Sequence, residues 1–318
     1  MFFQLYKESK LYARVCYHLN MNTETGIIMS RSSRDTSDGV HFDDWVKCTE
    51  KALHISVLNQ EGVFFVEHSA KIPNGPYRRE ALKLKTLGHL VVDGLYFRSQ
   101  LALRDFAQQL QHSGVLTFES DVKPEGRYLM ERFIFSTACI KGEMLCKGGI
   151  WQVVNPKMTA GELVLKLSLV SIDIKTNGQS GDLYSIAAYA PGGEVVFMVG
   201  EEEDSGHIRF VSDETQLLHD FIDWIIVTNP DVLIGWNVVD FDLAFLVKRA
   251  KELHVPFKLG RGGALCDMIL PNGLRQTHTP RLPGRVILDG IPLMLMGAWA
   301  LKSYSLENVA QHLLGTGN

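Results

Sequence analysis

The sequence predicts an α/β (α+β) protein with two domains, a β-rich N-terminal domain followed by a domain with a mixed sheet and helices. Between about residues 26 and 150, short apolar stretches such as GVFFVEH and HLVVDGLYFRS alternate with turn residues, as is typical of β-strands. From Leu163 onward the order becomes three strands, a helix, a strand and a helix. A chain of 318 residues, 46% of them hydrophobic, is long enough to form two such cores.

The individual elements follow from the spacing of apolar residues. The β-rich part contains one helical pattern, near Leu101–His112. In the second part, an apolar run from Leu165 to Ile174 and alternating stretches at Leu183–Tyr189 and Val195–Val199 predict a three-stranded meander. The following elements are predicted to be a helix, a strand, a helix and a strand, at Thr215–Val227, Val232–Ile234, about Asp240 to Leu253, and Arg285–Asp289.

The last helical pattern has a recognisable start and stop. Ser305 is a candidate N-cap, and Gly315 is a candidate C-terminal stop because glycine readily adopts the left-handed conformation. The sequence ends three residues after this glycine. We therefore expect the second domain to be truncated at its C-terminus.

Composition excludes some classes of protein and leaves the partner open. A formal net charge of −4 does not by itself indicate nucleic-acid binding, which usually requires a basic surface. The five cysteines are odd in number and contain no CxxC pair, so we expect reduced thiols and a cytoplasmic protein. No apolar run approaches eighteen residues, and we expect no membrane segment.

The strand that ends SIDIKT carries the first candidate site residues. Asp173 and Lys175 are two residues apart, so their side chains should project from the same face of the strand. A two-metal nuclease needs several carboxylates at such a place, because paired divalent ions are held by anionic oxygens. Lys175 places a positive charge where a metal ion would bind.

The segment GWNVVDFD joins a buried strand to a helix and carries the second candidate carboxylate, Asp242. Polar residues at the carboxyl ends of strands are typical of sites in α/β proteins. Helix capping and a favourable interaction with the helix dipole are the ordinary interpretation of Asp240 and remain an alternative for Asp242.

Five segments together, LVSIDIKTN, GDLYSI, DVLIGWNVVDFDLAFL, RVILDG and SYSLENVAQHLLG, resemble the exonuclease region of family B DNA polymerases. Upstream, VVDGLYFRS and ESDVKPEGRYLMERFI are similar to the N-terminal domain of the bacterial DNA polymerase II group. The resemblance covers about residues 24–318, with an N-terminal domain at 24–155 and an exonuclease domain at 156–318. Residues 1–23 fall outside the resemblance, and either an upstream start of the sequence or divergence would account for this.

The resemblance implies a ribonuclease-H-like 3′→5′ proofreading exonuclease domain from a polymerase of DNA replication or repair. Asp173 and Asp242 match the catalytic, metal-binding carboxylates of the family's first two motifs. Asn237, Phe241 and Thr176 match positions that bind the substrate. Mg²⁺ or Mn²⁺ is the implied cofactor, and the single-stranded 3′ end of DNA is the implied partner.

Two departures from the family pattern bear on activity. The first motif of the family is Asp-x-Glu, whereas Lys175 stands here at the position of the glutamate. The third motif, Tyr-x-x-x-Asp, and the motifs of the polymerase palm do not occur in the sequence. We expect an impaired exonuclease with weakened metal binding and no polymerase activity. A non-catalytic module that binds single-stranded nucleic acid or a protein remains an alternative, as does a decayed gene product.

Overall fold

The computed structural model describes residues 20–178, 181–270, 277–297, 299 and 301–315. These residues form two compact units that divide between Leu165 and Lys166. The domain bounds predicted at residues 155 and 156 stay a prediction. Residues 20–23 begin the first strand, and the rest of the predicted extension, residues 1–19, lies outside the described residues.

The first unit consists mainly of strands. Its elements are β1 (Asn20–Thr36), β2 (Gly39–Cys48), β3 (Ala52–Gln60), β4 (Gly62–Glu67), β5 (Arg78–Lys85), β6 (Val91–Phe97), α1 (Gln100–His112), β7 (Thr117–Phe118), α2 (Pro124–Met130), β8 (Thr137–Lys147), β9 (Ile150–Val154) and β10 (Lys157–Ala160). The predicted β-rich character and the helix near Leu101–His112 are confirmed.

Six of these strands form one sheet in the order β1-β2-β3-β9-β8-β10, and β1 also pairs with β8. The second pairing closes the sheet into a barrel, so β1 is hydrogen-bonded on both sides along part of its length. The interior contains Phe42, Leu53, Ile140 and Met144, all almost completely buried. The remaining strands form a sheet in the order β5-β6-β4-β7, against which α1 packs.

The second unit contains the elements of the candidate site. They are β11 (Leu169–Thr176), β12 (Leu183–Ala190), β13 (Gly193–Val199), β14 (Ile208–Val211), α3 (Glu214–Thr228), β15 (Val232–Gly235), a π-helical turn (Val238–Leu243), α4 (Ala244–Glu252), a 3₁₀ turn (Arg261–Gly263), β16 (Asp267–Ile269), β17 (Thr279–Arg281), β18 (Val286–Asp289), α5 (Gly290–Met296) and α6 (Leu306–Leu314).

The main sheet of this unit has the order β14-β13-β12-β11-β15-β18. Strands β11, β12 and β13 are antiparallel neighbours, which confirms the predicted meander. Strands β15 and β18 run parallel to β11, so their carboxyl ends lie at the same edge of the sheet. The segment that joins β15 to α4 begins at this edge, where the sequence predicts the second carboxylate.

Side-chain hydrogen bonds fix helices α3 and α4 of this unit. Helix α3 is capped by Asp213, whose carboxylate accepts a hydrogen bond from the backbone N–H of Gln216 at 2.9 Å. Arg249 of α4 donates two hydrogen bonds of 2.7 Å to the carboxylate of Glu214 at the start of α3. This bidentate pair connects the helix that follows the site to the helix that covers the sheet.

The predicted helix from Asp240 to Leu253 differs at its start, where the π-helical turn Val238–Leu243 precedes α4. The backbone N–H of Val239 donates to a carboxylate on another element, so the first turn is shaped by tertiary contacts. At α6 the predicted cap and stop are confirmed: Ser305 accepts from Asn308, and Gly315 is left-handed. None of the helices within the described ranges is long and apolar enough to cross a membrane.

Candidate functional site

Strand β11 presents Asp173 and Lys175 on its exposed face. Burial alternates along the strand, so Ile172 and Ile174 point into the core while the two charged side chains are 61% and 72% exposed. The ammonium Nζ of Lys175 donates to Oδ2 of Asp173 at 2.6 Å. The predicted shared face is therefore observed, and the two charges form an ion pair.

The second carboxylate, Asp242, lies in the π-helical turn and is only 2% exposed. Its Oδ1 accepts a hydrogen bond from the backbone N–H of Ile174 at 3.0 Å, which holds the turn against β11. Burial raises the pKa of Asp242 to about 6, and the negative charge of Asp173 acts in the same direction. The Ile174 N–H and the Lys175 ammonium oppose this pKa shift.

Asn237 and Phe241 lie on the same segment as Asp242. Asn237 is exposed and has a left-handed backbone with φ of 60°, and the side chain of Phe241 is 45% exposed. Thr176 is half-buried at the end of β11. Within the described ranges, no hydrogen bond or ion pair joins the side chains of these three residues to Asp173 or Asp242. The structure thus brings together both carboxylates and Lys175, with Phe241 on the adjoining turn and Asn237 directly before it.

A shallow pocket of about 150 Å³ adjoins Asp173 on the exposed face of the sheet. Its lining includes Ser171, Tyr189, Glu194 and His207 from β11, β12, β13 and the loop before β14. Pockets that enclose a nucleotide-sized ligand are usually larger, at about 300 Å³ or more. This pocket therefore does not by itself define a nucleotide site.

Asp289 is a buried polar residue beside the candidate site that was not predicted from the sequence. It is 7% exposed at the end of β18, and its carboxylate accepts hydrogen bonds from three backbone N–H groups. The donors are Asn237 at 2.9 Å, Val239 at 3.0 Å and Ile291 at 3.1 Å. One side chain thus caps α5 and fixes the segment that carries Asn237. An aspartate that ends a strand just before a helix start is the sequence signal for such a cap.

The segment before the π-helical turn also packs closely against the start of α5. A Cβ atom placed on Gly290 would lie 2.4 Å from the ring of Trp236, so a side chain larger than hydrogen does not fit there without displacement. The indole Nε1 of Trp236 donates to the backbone carbonyl of Tyr304 at 3.0 Å. These contacts hold the residue that directly precedes Asn237.

Asp240 lies in the first turn of the π-helical segment, as the dipole interpretation requires, but it does not cap the turn. Its Oδ1 accepts from the backbone N–H of His278 at 2.8 Å and lies 2.8 Å from Nδ1 of the same residue. The capping prediction was wrong because His278, 38 residues further along the chain, supplies these contacts.

Comparison with known proteins identifies the family. Residues 115–309 match the family model for the exonuclease domain of family B DNA polymerases. The chain belongs to the family B DNA polymerases. It is 34% identical over 308 residues to DNA polymerase II of Escherichia coli (strain K12), and the match covers 92% of this chain and 39% of that protein. It is also 28% identical over 155 residues to a DNA polymerase of Thermococcus sp. (strain 9oN-7), covering 47% of this chain and 20% of that one.

A solved structure supports the fold. The chain is similar to the family B DNA polymerase from the archaeon Pyrobaculum calidifontis, with a TM-score of 0.74 and 16% sequence identity. The match covers 91% of this chain and 39% of that chain. The predicted α/β fold class, with an exonuclease domain and a β-rich N-terminal region, is confirmed. The chain spans about two fifths of the length of the E. coli and Pyrobaculum relatives.

Family B exonuclease domains generally use divalent metal ions, which need several anionic ligands close together. One carboxylate, Asp173, is bonded to the Lys175 ammonium, and the other, Asp242, uses Oδ1 to accept from Ile174. Among the residues that the structure describes, no group of three His, Cys, Asp or Glu side chains is placed to hold a metal ion. The arrangement does not fit a pair of divalent ions, which need several anionic oxygens at one place.

Proposed function

We propose that the chain is the N-terminal and exonuclease part of a DNA polymerase II-like polymerase of DNA replication or repair, with an impaired 3′→5′ exonuclease. The observation that carries the proposal is the position of Lys175, whose Nζ lies 2.6 Å from Oδ2 of Asp173. A cation bonded to the first carboxylate opposes a divalent cation at the same oxygen.

We assign roles to the other candidate residues from the family resemblance, and their positions are compatible with those roles. In an intact site, Asp173 and Asp242 would hold the divalent ions, and Mg²⁺ or Mn²⁺ would activate the attacking water and stabilise the leaving oxygen. Phe241 faces solvent on the turn that Asp242 holds against β11, and the exposed Asn237 directly precedes this turn; both would contact the terminal nucleotides. Thr176, at the end of β11, would contact the same strand.

A direct test measures both metal binding and hydrolysis. Mn²⁺ binding to the chain is titrated by calorimetry, and release of nucleotides from a labelled single strand is followed with Mg²⁺ or Mn²⁺. We expect weak Mn²⁺ binding and a rate at least about 100-fold below that of a proofreading domain with the intact Asp-x-Glu motif. Lys175→Glu should bind Mn²⁺ more tightly because it adds an anionic ligand and removes a cation.

The matched control is Lys258→Glu, which makes the same change of charge at an exposed position on the loop after α4. It should leave Mn²⁺ binding close to that of the original chain. Nucleotide release at the rate of an intact domain, or equal Mn²⁺ affinities for the original chain and Lys175→Glu, would contradict the proposal.

A second candidate function is a non-catalytic module that binds single-stranded nucleic acid. The observation that favours it is that Asn237 and Phe241 remain exposed although the carboxylate pair beside them does not fit two metal ions. An exposed aromatic ring offers a surface on which a base can stack without any chemistry at the phosphate.

A further inference from the structure

The charge at the candidate site differs from that of the family pattern. The first two motifs of the family, Asp-x-Glu and the aspartate of the second motif, together carry three carboxylates and a charge of −3 when all are ionised. Here Asp173 and Asp242 contribute −2 and Lys175 contributes +1, which leaves −1. Three uncompensated carboxylates repel a DNA phosphate unless metal ions lie between them. The repulsion is weaker at this site because its net charge is −1.

The geometry leaves the positive charge accessible. The Lys175 side chain is 72% exposed, and its ammonium carries three N–H donors, of which one is directed to Asp173. An ammonium group on a flexible stem is a common phosphate ligand in proteins and acts as a point charge. Lys175 can therefore donate to a phosphate oxygen while it stays bonded to Asp173.

The surroundings offer contacts for the rest of a nucleotide. The Asp242–Ile174 hydrogen bond holds the π-helical turn directly beside β11. That turn carries the exposed ring of Phe241, and the exposed Asn237 precedes it. In proteins that bind single strands, bases commonly stack on exposed aromatic rings. A phosphate near Lys175 and a base near Phe241 are thus compatible with one bound strand.

We propose that the Lys175 ammonium takes the place of the divalent cations at this site, so that the chain binds the phosphates of a single-stranded DNA 3′ end without metal. This inference rests on the proposed function, since it concerns the same site. Lys175, at the position of the family's glutamate, would thus change how the DNA strand is bound as well as impair hydrolysis. No bond of the DNA is broken in this binding mode.

Fluorescence anisotropy with a labelled oligothymidylate tests the inference on the full chain. Affinity is measured in EDTA and in Mn²⁺, over a range of salt concentrations. The original chain should bind in EDTA, with less than about a twofold change on adding Mn²⁺, and binding should weaken as salt increases. Lys175→Met should weaken binding in EDTA by about fivefold or more, because it removes the charge and keeps a side chain of similar length.

Lys175→Glu sharpens the test because it restores the family pattern on β11. It should bind weakly in EDTA and recover affinity when Mn²⁺ is added, so that binding becomes metal-dependent. Lys258→Glu, with the same change of charge elsewhere on the second unit, should stay within about twofold of the original chain in both conditions. Circular dichroism of each variant checks that the fold is retained.

Three results would overturn the inference: no binding in EDTA, binding that requires Mn²⁺ in the original chain, or unchanged affinity in Lys175→Met. Release of labelled nucleotides is measured in the same Mn²⁺ samples. Rapid release would overturn the proposed impairment of hydrolysis, whereas a metal requirement for binding without release would overturn only this inference. The two failures are therefore distinguishable.

Discussion

The two carboxylates of the candidate site are held in opposite ways. Asp173 stands on the exposed face of β11, where it is 61% exposed and bonded to a flexible lysine. Asp242 is 2% exposed and bonded to a backbone N–H of the same strand. The β11 side of the site can therefore change its charge at little cost to the fold, whereas the side formed by the π-helical turn is part of the fold.

This difference explains how a lysine can be accommodated at position 175. A side chain at an exposed strand position displaces no core residue, and exposed ion pairs contribute little to stability. On the side formed by the π-helical turn, Asp242 and Asp289 are harder to replace, because their carboxylates accept hydrogen bonds from backbone N–H groups. The contrast between the two sides of the site can be tested with variants of Asp289, Asp242 and Lys175.

Asp289→Ala should cause the largest loss of stability. It removes the acceptor of three backbone N–H groups at a position that is 7% exposed, and unsatisfied buried donors are costly. We expect the free energy of unfolding to fall by about 3 kcal/mol. Urea titration measures it, and hydrogen exchange at Asn237 and Val239 should become faster. Asp289→Asn, which keeps one carbonyl oxygen, is the control and should lose less. A loss below about 0.5 kcal/mol for the alanine variant would show that the contrast is wrong.

Asp242 should make stability depend on pH in a defined window. Burial raises its pKa from 3.8 to about 6 in the folded chain, so the folded state binds more protons than the unfolded state between these values. Its contribution to the free energy of unfolding should therefore decrease as pH rises from about 4 to about 6, and level off above. The measurement is the difference between the original chain and Asp242→Asn, which does not titrate there. If the difference in the free energy of unfolding between the two proteins increased with pH, the raised pKa of Asp242 would be contradicted.

Lys175→Met should have the smallest effect on stability. Its partner Asp173 is 61% exposed and the lysine itself 72%, so solvent screens the pair. We expect the free energy of unfolding to change by less than about 0.5 kcal/mol in the same urea titration. Lys248→Met, which removes a second exposed lysine paired with Glu252, is the matched control. A loss above about 1.5 kcal/mol would mean that the β11 side is also required by the fold.

Much of the second unit could be predicted because its signals are local. Alternation of apolar residues along β11, β12 and β13 predicts the meander, and Ser305 and Gly315 mark the ends of α6. The shared face of Asp173 and Lys175 also follows from strand geometry alone. These features depend on residues within a few positions of each other.

The parts that were not predicted depend on residues far apart in the chain. The π-helical start of the segment before α4 follows from bonds to Asp289, 50 residues beyond Val239. The contact between Asp240 and His278 spans 38 residues. Periodicity within a short window carries no information on such partners. The family resemblance identified the carboxylates by position, but it did not reveal what holds them.

The contact between Gly290 and Trp236 offers a way to move the site without altering any residue that would touch DNA. A methyl group at position 290 would overlap with Trp236, because its carbon would lie 2.4 Å from the indole ring. Either the indole ring or the backbone at position 290 would have to shift, next to the residue that precedes Asn237. Gly290→Ala would therefore change the packing at the edge of the site without changing the charge of the site.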